Sequence, residues 1–169
     1  QAQRGQAARP RPRGDGARLT TVNGKAELLA LAGRDLGHTT WREITQDRVD
    51  TFADATDDHQ WIHVDPARAA SGPFGGTIAH GYLTLALIIP LFGELLAIGG
   101  VRMSVNYGLD KVRFPSPVRV GDKIRLAGRV VSVDEVAGDG VQMALDFTVE
   151  IDGSDKPACV ARAVYRHYS

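Results

Sequence analysis

Residues 80–98, HGYLTLALIIPLFGELLAI, form the most apolar stretch of the chain. Leucine and isoleucine fall on nearly every side of a 3.6-residue repeat, so a helix here has no wet face and is expected to be buried all round. Pro90 sits inside it. A proline in a helix interior removes a hydrogen bond and costs about 3 kcal/mol or more, so a kink is expected near residues 86–90. Pro90, Gly93 and Glu94 interrupt residues 83–96, which makes the run a core helix rather than a bilayer span.

The chain that follows reads as β. Val141, Met143, Leu145, Phe147, Val149 and Ile151 alternate with Gln142, Ala144, Asp146, Thr148, Glu150 and Asp152. Period two without exception predicts a strand with one buried and one wet face. Residues 124–133 predict its partner, joined through Gly138-Asp139-Gly140. Residues 157–168 predict a third strand, and residues 103–114 a fourth that stops at Pro115 and Pro117. A long buried helix followed by antiparallel strands is an α+β arrangement. One curved sheet covers part of such a helix and a second copy of the chain covers the rest, so a homodimer is expected.

Upstream, residues 23–33 (NGKAELLALAG) predict a short helix with Leu28, Leu29 and Leu31 on its apolar face and Gly33 as its stop. Residues 41–44 predict a short strand. Thr45 then caps a helix carrying Val49, Phe52 and Ala53, which ends close to Asp57. Asp65-Pro66 opens a turn or short helix through Ala70, and Gly72, Pro73, Gly75 and Gly76 break the chain again. Residues 1–18 hold five arginines against one aspartate and almost nothing to bury. They read as a disordered basic tail ahead of one domain over residues 19–169.

Bulk properties narrow the classes. With 169 residues, 43% hydrophobic and 24% charged, the chain has enough apolar material for one core. A formal net charge of zero gives no reason to expect nucleic acid or an anionic membrane as partner. No run is long enough to insert in a bilayer, and the start lacks an apolar leader core. The single Cys159 cannot form an internal disulfide, which suits a cytoplasmic location, and it reads as a small buried hydrophobe.

The polar run Asp57-Asp58-His59-Gln60-Trp61-Ile62-His63 lies between the capped helix and the Asp-Pro turn. Asp58 and His63 are five apart. On a helix that leaves them ~140° apart, and on a strand it puts them on opposite faces, so they converge only if the chain between them is irregular. On spacing alone the simpler reading is a turn-capping aspartate and a satisfied core histidine. A metal reading on His59 and His63 lacks an HExxH motif, a cysteine ligand and a second histidine pair, so no metal is expected. The run 73–81, PFGGTIAHG, leads a flexible segment into the buried helix. Gly81 permits close approach to the backbone, and the unpaired N–H groups there suit an oxygen that gains negative charge. The alternative is that these glycines only make the turn, with Thr77 or His80 capping the helix.

FADATDDHQWIHVD followed by FGGTIAHGYLTLAL resembles the signature of the MaoC-like hydratases, which include (R)-specific enoyl-CoA hydratases and nodulation-protein-N-like dehydratases. The later KVRFPSPVRVGD resembles the strand and turn that members carry after the central helix. The resemblance covers residues 35–168 and implies a hot-dog fold, usually dimeric. It implies that Asp58 and His63 are the catalytic pair and that the Gly81 N–H is the oxyanion donor. It further implies reversible addition of water to a trans-2-enoyl thioester, giving the (R)-3-hydroxyacyl product, with no cofactor beyond the coenzyme A or acyl carrier protein that carries the acyl group. The family's usual Gly is Asp57 here, and its usual Asn-Pro is Gln60-Trp61, departures that bear on substrate choice. Gln60, Trp61, His80, Tyr82 and Arg113 are candidate substrate-binding residues. Arg102, Lys111, Arg119 and Lys123 join Arg113 as cations that can meet carrier phosphates. Residues around Trp61, Phe74, Tyr82 and the Pro90 kink are expected to set pocket length. The rivals are a hot-dog thioesterase and a non-catalytic acyl-thioester binding module.

Overall fold

A computed structural model describes residues 18–169. The expected basic tail lies outside the described residues except for Arg18, which is exposed. In chain order the elements are β1 (Thr20–Asn23), α1 (Gly24–Leu29), β2 (Asp35–His38), β3 (Arg42–Glu43), α2 (Gln46–Thr56), α3 (Trp61–Val64), α4 (Pro66–Ala70), α5 (Gly81–Ala86), α6 (Ile88–Leu95), β4 (Leu96–Gly99), β5 (Met103–Arg113), β6 (Lys123–Val136), β7 (Gly140–Ile151) and β8 (Cys159–Tyr168). The main sheet runs β2-β6-β7-β8-β5, with β3 also paired to β6, and its pairings are antiparallel.

The four strands expected after the helix are present. Along β7 the even and odd positions part as the alternation requires, with Val141, Met143, Leu145, Phe147 and Val149 buried and Asp146 exposed. The β6–β7 hairpin turns through Gly138 (φ 80°) and Asp139 (φ 53°), left-handed positions that glycine and aspartate tolerate. The inner face of this sheet receives α6. Leu91 and Leu95 are fully buried, and Phe92 meets the rings of Phe147 at 5.2 Å and Tyr165 at 5.5 Å.

The expected kink near residues 86–90 is present: the helix begun at His80 breaks at Leu87 into α5 and α6 and is not continuous. Pro90 lies in the first turn of α6, where its missing N–H leaves the Ala86 carbonyl without the usual partner, so the break falls one turn before the proline. Nor does the helix reach Ile98. Leu96 turns extended, and Leu96–Gly99 pairs in parallel with Thr20–Asn23. As expected of a helix that one sheet covers only in part, one side stays open: Tyr82 is 74% and Ile89 47% exposed. The upstream helix is also shorter than residues 23–33 suggest, ending at Leu29 and passing into turns before Gly33.

Candidate active site

The site grows from the end of α2. Thr45 caps that helix through a 3.4 Å bond from the Arg48 N–H, and the helix stops where Asp57 adopts a left-handed conformation, φ 60°. Aspartate is one of the few side chains that tolerate this geometry, and glycine does so at no steric cost. That explains why an aspartate can replace the glycine of the resembled pattern. Asp57→Gly is expected to raise stability by roughly 0.5–1 kcal/mol, read as a higher unfolding midpoint.

Asp58 follows in irregular chain, and α3 then carries His63 inward to 7% exposure. Three contacts fix His63. Its N–H donates to the Gln60 carbonyl at 2.9 Å, and its own carbonyl accepts from Gln46 Nε2 at 2.8 Å. Its ring Nδ1 lies 2.7 Å from the Ile78 carbonyl oxygen. A carbonyl can only accept, so Nδ1 carries the hydrogen and the neutral ring presents a bare Nε2. Burial pushes the imidazole below its ordinary pKa, aided by neighbouring His80; the Ile78 bond and the Asp58 carboxylate oppose this less strongly.

Asp58, His63 and His80 each bring one oxygen or nitrogen within 4.8 Å of the others. The irregular link therefore does what the five-residue spacing demands. His80, expected as a substrate-binding residue or a helix cap, is the third member. It stacks on His63 with ring centroids 3.8 Å apart and planes 24° apart. Its Nε2 donates to the backbone carbonyl of Asp58 at 2.9 Å, while the Asp58 carboxylate is 3.9 Å away, too far for a hydrogen bond. His80 thus ties down the Asp58 loop rather than capping α5, where no side-chain cap bond forms.

A cavity of about 360 Å³ opens beside this cluster, lined by His63, Phe74, Gly81, Thr84, Phe114 and Val118 among others. Gly81 is the first residue of α5, so its N–H has no partner within the helix. A Cβ at Gly81 would stand 3.3 Å from the Phe114 ring, so glycine keeps this wall open.

Of the other expected residues, Phe74 joins the cavity and Pro90 does not, being exposed on α6. Gln60 is exposed and serves α3 through its carbonyl. Trp61 packs under the Arg68 guanidinium at 4.3 Å and against Gly72, outside the cavity lining. Tyr82 meets the edge of Phe114 and lines a different, apolar groove with Ile89 and Leu109. Arg113 is exposed and bonds the Val112 carbonyl. His59 is exposed and bonds Asp54 at 2.8 Å, so it does not share a ligand geometry with His63. Cys159 is fully buried with its thiol pushed up to about 11, the behaviour of a small hydrophobe. Gln46, Thr84 and Phe114 carried no signal in the sequence, because they reach the site across the fold.

Residues 27–150 match the family model described as MaoC like domain. The chain is 50% identical over 149 residues to 3-hydroxyacyl-thioester dehydratase Z of Mycobacterium tuberculosis, an alignment spanning 88% of this chain and 99% of that protein. It is 45% identical over 141 residues to nodulation protein N of Rhizobium leguminosarum bv. viciae, spanning 80% of this chain and 86% of that one. Among solved structures, R-hydratase PhaJ1 from Pseudomonas aeruginosa superposes with a TM-score of 0.63 at 25% identity, covering 82% of each chain. A broken helix laid on a curved antiparallel sheet, a converged Asp58–His63 pair and these likenesses agree: the chain belongs to the MaoC-like dehydratase family and has its hot-dog fold.

Proposed function

We propose that the protein is a hydro-lyase that reversibly adds water to trans-2-enoyl thioesters, giving (R)-3-hydroxyacyl thioesters. The observation that carries the reading is the convergence of Asp58 with a His63 whose Nδ1 is committed to Ile78 and whose Nε2 is bare. The named activities of the dehydratase Z and R-hydratase relatives support the same reaction class.

In the proposed sequence the acyl group enters the cavity with its thioester oxygen on the Gly81 N–H. A water lies between Asp58 and His63 Nε2. Its oxygen bonds C3 as His63 takes its proton, and the electron pair of the double bond moves to C2 and onto the thioester oxygen held by Gly81. The imidazolium then returns the proton to C2 on the same face. One water is added and every protein group is restored. Asp58 orients the water through its second hydrogen and stabilises the transient imidazolium. Side chains and water suffice for this chemistry, and the acyl carrier is a phosphate-bearing thiol such as coenzyme A or acyl carrier protein. The buried, reduced Cys159 fits a cytoplasmic location. Among the described residues no helix is long and apolar enough to cross a membrane.

Because burial lowers the His63 pKa, the base form persists to lower pH than a free imidazole allows. The kcat/KM of the wild-type protein is expected to fall as pH drops through a midpoint below the ordinary histidine range; a midpoint at or above that range contradicts a neutral, buried base. Incubation with crotonyl-CoA separates the alternatives. Loss of enoyl absorbance without free thiol supports hydration, thiol release identifies a thioesterase, and thermal stabilisation by an inert acyl-CoA analogue without turnover identifies a binding module.

The homodimer belongs to the same proposal. Strand β5 ends the main sheet, and the exposed Leu109 on it lies beside the exposed Tyr82 and Ile89 of the helix. These flank an apolar groove of about 230 Å³. Two copies joined along this edge would bury it. Light scattering is expected to give twice the chain mass, and Ile89→Glu with Leu109→Asp is expected to give the single-chain mass with secondary structure intact. A wild-type protein that is already monomeric at micromolar concentration contradicts the dimer.

A further inference from the structure

We propose that Gln46 is a positioning residue for the reaction: it holds His63 in the single tautomer and place that make its Nε2 the base. The proposal rests on the hydratase reading of the site and adds to it a residue that touches no substrate.

Gln46 opens α2, directly after the Thr45 cap, and is half-buried. Its amide makes three bonds, each to a different part of the fold. Nε2 donates to Asp50 Oδ1 at 2.7 Å, one turn along its own helix. The same nitrogen donates to the His63 carbonyl at 2.8 Å, on α3. Its Oε1 accepts from the Thr77 hydroxyl at 2.6 Å, on the segment that leads into α5. The amide orientation is forced. The Asp50 carboxylate and the His63 carbonyl can only accept, so the NH₂ must face both and the oxygen must face Thr77.

These bonds close a bracket round one imidazole. Ile78, next to Thr77, gives its carbonyl to His63 Nδ1 and its N–H to the Ile62 carbonyl at 3.0 Å. Thr77 and Ala79 are pinned in turn by backbone bonds to Val120 at 2.9 Å and Val118 at 2.8 Å. The His63 main chain and the Ile78 carbonyl that selects its tautomer therefore belong to separate segments, 15 residues apart in sequence, and Gln46 is the side chain that bonds to both segments. Without it, the Ile78–Ile62 backbone bond and the imidazole's own bond to Ile78 are left to hold α3 against residues 77–78, and α3 can shift relative to them. The Nδ1–carbonyl bond then loosens, the alternative Nε2–H tautomer becomes populated, and the water-facing nitrogen ceases to be an acceptor. Thr77, only 5% exposed, would also lose its hydroxyl partner.

The deciding variant is Gln46→Glu combined with Asp50→Asn. The new carboxylate still accepts from Thr77 and now accepts from the Asn amide, so the links within α2 and to Thr77 persist. Only the His63 carbonyl loses its donor. Histidine ¹⁵N chemical shifts are expected to show His63 as a neutral Nδ1–H ring in the wild type and as a tautomer mixture in the pair variant. On crotonyl-CoA, kcat is expected to fall roughly 10–100-fold, the scale of a small misplacement of a reacting group, with KM within about threefold. Gln46→Leu removes all three bonds and is expected to lose more. If that variant fails to fold, the pair variant still decides. An unchanged His63 tautomer in the pair variant overturns the proposal, whether or not kcat falls. If the wild type hydrates no enoyl-CoA, the hydratase reading fails, and the shifts of the wild type and pair variant still test the bracket by themselves.

Discussion

His63→Gln is expected to cost roughly 10²–10⁴-fold in kcat on crotonyl-CoA with the fold intact, and Asp58→Asn a loss on the same scale. The two replacements fail for different reasons. Glutamine can keep a bond to the Ile78 carbonyl through its amide, but it offers no nitrogen that gains and returns a proton. Asparagine keeps the shape of Asp58 and its place under the His80 bond, which is made to the backbone carbonyl and not to the side chain. It removes the negative charge that orients water and steadies the imidazolium. The circular dichroism and unfolding midpoint of Asp58→Asn are expected to match the wild type closely, since its side chain is 54% exposed. His63→Gln replaces a buried ring stacked on His80, so a modest loss of stability accompanies its loss of turnover. Rates are therefore compared below the lower unfolding midpoint. Near wild-type turnover by both variants would remove the pair from the chemistry.

The second large effect isolates a backbone group. Gly81 is the first residue of α5, the position where proline is best tolerated in a helix, because its missing N–H has no intrahelical acceptor to lose. The residue before it is compatible as well: His80 has φ −59° and ψ 139°, the extended region that a following proline requires. Gly81→Pro therefore deletes the proposed oxyanion donor while leaving α5 able to form. Gly81→Ala is the matched control, since both variants add a Cβ that meets Phe114 at 3.3 Å but only proline removes the N–H. The proline variant is expected to lie about 10²–10³-fold below the alanine variant in kcat, the usual size of one oxyanion contact. Equal rates for the two would mean that Gly81 is required only for space against Phe114.

Much of the architecture could be read from local pattern. The β7 alternation, the Thr45 cap, the Asp65-Pro66 start of α4 and the Gly138-Asp139 turn are all local devices, and each lies where its chemistry puts it. The β1–β4 pairing was not legible, because parallel strands some 75 residues apart leave no local mark and Leu96–Gly99 continues a helical apolar run without a change of composition. The exposed Tyr82–Ile89 stripe accords with the pattern: apolarity on every side of a helix says that every side seeks cover, and one sheet supplies only part of it, although the sequence does not say which side is left open.

The site divides the same way. The Asp58–His63 spacing stated a geometric condition, and the left-handed Asp57 followed by irregular chain satisfies it. His80 was visible as a polar residue at a helix start, yet its bond to the Asp58 backbone comes from packing across 22 residues. Trp61 and Tyr82 were drawn in by proximity in sequence, and the fold turns both away from the cavity, onto Arg68 and Phe114. Gln46 had no sequence signature, since its two long-range partners are 17 and 31 residues away.

In the proposed reaction one base on one face adds both parts of a water molecule across an enoyl double bond. Hydration of crotonyl-CoA in D₂O tests it in a single product analysis. The expected product is a 3-hydroxybutyryl-CoA of R configuration with one deuterium at C2, delivered from the same face as the new hydroxyl, and no free thiol. A product of S configuration, deuterium on the opposite face, or release of coenzyme A in place of hydration would contradict it.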